Sequence, residues 1–217
     1  MSSDLLYMLW ESFLETLVMV FCSGMIGALI GLPLGVLLYI SAAGGIHPMP
    51  VFNRVVGTIV NIVRSIPFII LMVAIIPFTR LVVGTSIGTS AAVVPLTIAA
   101  GPFIARLVET SLREVDKGLI EAAQAMGATN AQIIWKVLLP EARPGIIAGL
   151  TISLVSLVGS SAMAGAIGGG GLGDMGIRYG YQRFMLDVMM AVVVVLVIFV
   201  QTMQSTGDWL VRRLSHK

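Results

Sequence analysis

The sequence predicts an all-α membrane protein, a polytopic bundle of about five transmembrane helices with one long semi-polar loop. Three observations carry that expectation. Hydrophobic residues make up 57% of the 217 and charged residues 11%, where a soluble domain carries about 25% charged. Mean hydropathy is +0.99, and apolar runs recur, each near the roughly 20 residues that cross a bilayer. The charges fall mostly between the runs and favour one side. No soluble domain fits between the runs, so residues 1–217 read as one transmembrane domain. The net charge of +2 is too small to imply nucleic acid.

The expected spans are residues 14–40, 55–78, 91–108, 145–166 and 185–206. Asp4 and Glu11 stand where a secretion signal would be basic. Cys22 is the only cysteine, so no intrachain disulfide forms. The residues before it, Val20 and Phe21, lack the small side chains of a lipoprotein site. Span one carries Gly27, Gly31 and Gly35, with Gly24 and Pro33 nearby. Glycine at every fourth position cuts a groove where another helix approaches closely.

Span two contains Asn61, Arg64, Ser65, Pro67 and Phe68. An arginine at mid-bilayer costs roughly 2.5–3.5 kcal/mol on insertion scales. Arg64 either faces the protein interior or snorkels to headgroups from near the cytoplasmic end. Span three contributes Pro95, Pro102, Arg106 and Glu109. Arg64 and Glu109 are expected toward the same side, and a pairing between them would relieve both charges. Proline-kinked helices suit a moving pathway, though static bundles also contain them.

Residues 121–140 form a helix-forming island. Leu119, Ala122, Ala123 and Met126 share one helical face, and the alanines keep it thin. Gly127 sits where a helix end wants a left-handed residue. Thr129 and Gln132 form a capping-box pattern for a second helix, whose apolar face is Ile133, Ile134, Val137 and Leu138. That helix is expected to stop before Pro140. Without more, this is also how an ordinary amphipathic loop reads.

Span four carries Ser156, Gly159, Ser160, Ser161, Met163 and Gly165, nearly all small. Small residues let two copies of a helix approach, and Met163 offers a soft plug between them. The alternative is that Met163 fills a gap and the serines bond their own backbone. Gly171, Gly173 and Gly176 match a dinucleotide fingerprint in letters, but no strand precedes them. A compact external turn is the better reading. No Gly-Lys-Ser/Thr phosphate loop occurs in the chain.

Charge orients the spans. Arg54, Arg113, Lys117, Lys136, Arg143, Arg212, Arg213 and Lys217 lie on one side. Asp4, Glu11 and Glu15 lie on the other, with only Arg80, Arg178 and Arg183 in its loops. The N-terminus is therefore expected outside, with the Glu121 loop and the C-terminus in the cytoplasm. A secondary transporter or channel would need ion-coupling carboxylates or a selectivity ring within the spans. Glu15 and Asp187 lie only near span ends, and a structural scaffold leaves the loop spacing unexplained.

The loop resembles the "EAA" loop of ABC-importer permeases: Glu121-Ala122-Ala123, Gly127, Val137, Leu139-Pro140. The usual isoleucine is Val137, and Asp116 replaces a proline usual before the first helix. The Arg64–Phe68 stretch, the 78–88 loop, Pro102–Arg106 and Gly170–Gly173 resemble methionine-uptake permeases of bacterial ABC importers. The resemblance implies a homodimer in the inner membrane, two ATP-binding-cassette subunits and an external methionine-binding lipoprotein. It implies that ATP and magnesium sit on the ATPase, that this chain binds no cofactor or metal and is not itself an enzyme, and that residues 112–143 couple the two. The coupling set is then Glu121, Ala122, Ala123, Met126, Gly127, Leu139 and Pro140. Ser160, Ser161 and Met163 are the expected gate, and Arg64 and Glu109 the intramembrane polar pair. Permeases for glycine betaine or polar amino acids share the loop and stay an alternative.

Overall fold

The computed structural model describes residues 3–215, and they are helical nearly throughout. In order, α1 is Ser3–Ile40, α2 Pro50–Ser65, α3 Phe68–Ala74, α4 Ile76–Val83 and α5 Thr89–Arg113. Then come α6 (Lys117–Ala125), α7 (Asn130–Ile133), α8 (Leu139–Ala164), α9 (Gly171–Met175) and α10 (Leu186–Leu214). Among the described residues, four helical runs are long and apolar enough to cross a membrane: α1, α5, the continuous run Asn130–Gly169, and α10. The pair α2 and α3 makes a fifth if a bend of 102° is counted as one broken span.

That bend corrects the expectation of a straight span over 55–78. The residue before a proline is pushed out of the helical region, and Ile66 is extended, with φ −81° and ψ 124°. Pro67 has no N–H to continue the ladder. Its partner in a straight helix, the Val63 carbonyl, takes the Ile66 N–H instead at 3.3 Å.

Pro140 brings the opposite correction. The second loop helix does not stop before it. From α7 the chain runs through a wide π-helical stretch, Ile134–Leu138, directly into α8. The ladder is already widened there, the Leu139 N–H reaching the Ile134 carbonyl five residues back, so the run continues past a proline that lacks an N–H.

The glycine groove of α1 is filled by α5. A Cβ on Gly31 would lie 2.7 Å from the Gly101 carbonyl oxygen, and one on Gly35 would lie 2.6 Å from that of Ala105. Gly27 faces Ala100 in the same way. The seam is thus filled within one chain.

One apolar core runs from the bundle into the loop. Met19, Leu96, Ile104, Val108 and Leu157 belong to the same buried cluster as Ile120, Ala123, Ile133 and Leu138. Ile133 and Leu138 are fully buried. The loop is therefore packed onto the membrane helices rather than hung from them.

Candidate functional site

Three elements set the geometry of the loop. Asp116 caps α6, its Oδ1 accepting the Gly118 N–H at 2.8 Å. Gly127 ends the first helix at φ +80°, its N–H donating to the Gln124 carbonyl at 2.9 Å. The Ala128 N–H returns to the Ala123 carbonyl at 3.1 Å. Thr129 and Gln132 then close a full capping box: the Gln132 N–H reaches Thr129 Oγ1 at 3.3 Å, and the Thr129 N–H reaches Gln132 Oε1 at 2.9 Å. Helix, turn and helix are each closed by local hydrogen bonds.

The loop has an inner and an outer face. Ile120 and Ala123, three residues apart, turn inward onto Ile133 and Leu138. Ala123 is 5% exposed, which corrects its expected place on the outer face. Glu121, Ala122 and Met126 are exposed, with Leu119 beside them. Met126 is 82% exposed. Leu139 and Pro140 are half-buried in the first turn of α8. They direct that helix and present little surface.

On α8, Ile152, Ser156, Gly159 and Met163 form an exposed row, with Ser160 half-buried beside it. A Cβ at Gly159 would meet nothing. Met163 is 51% exposed. Ser161, expected in the gate, is buried on the opposite side and donates to the Val158 carbonyl at 2.8 Å. The helix opposite fixes the depth of this row. A Cβ at Gly145 would meet Ser111, and one at Gly149 would meet Leu107, each at 3.0 Å. Hence α8 runs antiparallel to α5, and Met163 lies about 21 Å along α8 from Gly149 at 1.5 Å per residue.

The charges inside the bundle sort differently from the sequence expectation. Glu109, 3% exposed, pairs along its own helix with Arg106 at 2.5 Å and Arg113 at 2.6 Å. Arg106 also donates to the Gly57 carbonyl at 3.0 Å and so ties α5 to α2. Arg64 does not reach this cluster. Its guanidinium stacks instead over Phe103, 5.9 Å from the ring centre. Residues three and four apart on one helix are natural partners, and Glu109 had two arginines at that spacing.

Residues 31–217 match the family described as binding-protein-dependent transport system inner membrane component. The chain belongs to this family. It is 57% identical over 203 residues to the probable D-methionine transport system permease protein MetI of Vibrio cholerae, covering 94% of this chain and 90% of that one. It is 58% identical over 165 residues to the D-methionine transport system permease protein MetI of Escherichia coli K12, 76% of each. Among solved structures it superposes with TM-score 0.97 and 55% identity, over 100% of both chains, on a chain from inward-facing conformations of the MetNI methionine ABC transporter. A crystal structure of an amino acid ABC transporter shares the fold alone, with TM-score 0.79 at 20% identity.

Two features of this inner-membrane component went unread in the sequence. Trp135 is 72% exposed on the loop. It stands out of register with the apolar face of Ile133, Val137 and Leu138, and that misplacement was the available signal. The other is Glu15, which with Thr16 caps the glycine-rich turn. The Gly171 N–H reaches Glu15 Oε2 at 2.6 Å and the Leu172 N–H reaches Thr16 Oγ1 at 2.9 Å. An acid at a helix start meets the free N–H groups there. The glycines permit this close approach: a Cβ on Gly171 would sit 2.7 Å from Thr16 Oγ1.

Proposed function

We propose that this chain is the permease subunit of an ATP-driven methionine importer that works by alternating access. The observation that carries the reading is the loop: a closed helix–glycine–helix knob, continuous with the membrane core, showing Leu119, Ala122 and Met126 outward. In a family of binding-protein-dependent transport components, such a knob suits a groove on a separate ATPase. Relatives named for D-methionine transport at 57% and 58% identity favour methionine over glycine betaine or polar amino acids.

In this reading two copies assemble about a two-fold axis, with two ATP-binding-cassette subunits on the cytoplasmic side and a substrate-binding lipoprotein outside. Isologous pairing is the usual closed solution for two identical chains. Residues 1–217 act as one transmembrane domain, with 112–143 as the coupling segment. The N-terminus faces outward, and the loop and C-terminus face the cytoplasm. The subunit itself catalyses nothing and holds no cofactor; ATP and magnesium belong to the partner.

Closure of the ATPase pair would draw the two loops together. Because loop and bundle share one core, that motion reaches α5 and α8 without an intervening soft joint. The exposed row of α8 would then face its symmetry mate, and Met163 of each copy would close the outer end while the inner end is open.

The test is reconstitution with the ATPase and binding protein in vesicles. ATP-dependent accumulation of methionine, and none of glycine betaine or glutamine, is the expected result. Equal accumulation of all three solutes, or uptake that ignores ATP, would overturn the reading. D- and L-methionine measured side by side would assign the stereochemistry.

A further inference from the structure

Arg64 is the charge that the polar cluster leaves over. It stands near the end of α2, at the 102° break with α3. It is exposed, and among the described residues it has no ion pair and no side-chain hydrogen bond. Phe103, over which it stacks, lies fourteen residues from the Thr89 start of α5 and ten from its Arg113 end. At 1.5 Å per residue those are about 21 Å and 15 Å, so the contact lies well inside a helix long and apolar enough to cross a membrane.

An arginine facing lipid within a span is disfavoured, so such residues mostly face water-filled passages or partners. The backbone says the same independently. A helix ladder broken inside a span is tolerated where it lines a cavity or is covered by protein, and the break lies two residues beyond Arg64. The elbow lies against the helix that carries the expected gate: α3 packs on both α5 and α8. Gly149 faces Leu107, so Met163 lies about 15 Å further outward than Phe103.

We propose that Arg64 is a carboxylate-reading station in the translocation pathway. Its guanidinium takes the α-carboxylate of the passing amino acid, and the Phe103 ring holds the side chain in place. The inference rests on the importer reading above. Arginine suits the role because its fork matches a carboxylate with two parallel N–H donors. One cation with no companion acid for the substrate ammonium gives brief holding rather than tight capture. Two symmetry-related copies would favour amino acids over amines that lack the carboxylate.

Vesicles holding the complete transporter test this. Arg64→Gln should lower ATP-driven methionine uptake by about tenfold or more, the cost of a charge-assisted hydrogen bond. ATPase association should be unchanged, and Arg64→Lys should keep most of the uptake. In a Cys22→Ser background, Arg64→Cys should react with water-soluble thiol reagents, more slowly when methionine is in excess. A cationic reagent should restore uptake; an anionic one of equal size should not. Uptake by Arg64→Gln within about twofold of wild type would overturn the proposal. So would a thiol at position 64 that no aqueous reagent reaches, or one whose labelling follows anionic lipid content and ignores methionine. If Arg64→Gln fails to assemble, the labelling arm decides. Wild-type uptake in the same vesicles tests the importer reading separately.

Discussion

Gly127 fixes the angle between the two loop helices with a single backbone conformation. At φ +80° a side chain costs about 1–2 kcal/mol, more when β-branched. Gly127→Val should therefore lower the melting temperature of the purified complex and reduce uptake, while membrane insertion persists. Ala123→Trp should act in the same way, because Ala123 packs inward. It is a stability mutation and not a docking block. Glu109→Gln leaves Arg106 without its carboxylate. Removing one partner of a buried pair costs on the order of 3 kcal/mol, so a clear fall in detergent melting temperature is expected. The double variant Glu109→Gln with Arg64→Ala should show additive losses, because the two sites belong to different contacts; non-additive losses would mean that they couple. The sequence displayed the Gly127 turn and the Thr129 capping box because each is written within four residues. It did not display which side of α6 meets the bundle. Both faces of that helix are thin and half-apolar, and only tertiary packing chooses between them.

Between α1 and α5 the backbones come close enough that carbonyl oxygens occupy the space of missing Cβ atoms. Gly31→Leu has no side-chain end to push aside, only the Gly101 carbonyl and the branched Ile104. Expression in the membrane should fall steeply, whereas Gly159→Leu, which meets open space within one chain, should express normally and show its cost in uptake instead. Comparing the two expression levels checks the assignment of the seam. The groove was legible from its four-residue period, and its occupant was not, since any helix with small residues fits such a groove. Pro67 and Pro140 show the same limit at helix ends. Both are prolines in apolar surroundings, yet one breaks its helix and the other sits inside a continuous helical run. The difference lies in whether the preceding residue leaves the helical region, as Ile66 does and Leu139 does not.

At the scale of the whole molecule, a core continuous from the membrane helices to Ile133 and Leu138 makes the chain one lever. In the importer reading proposed above, the exposed row of α8 faces a second copy. Met163→Cys in a Cys22→Ser background should crosslink across the dimer in the inward-open state and lose the link when ATP is trapped. A link that persists in both states would place Met163 in a static interface. In the importer reading, the outward face of the loop docks the ATPase. Ala122 is exposed on that face, so Ala122→Trp adds bulk without entering the core. The deciding measurement is co-purification of the ATPase with this variant, with its own melting temperature and its uptake read in parallel. An unchanged melting temperature for the permease alone, loss of the ATPase and loss of methionine uptake are the expected results. Full ATPase association with wild-type uptake would contradict that docking.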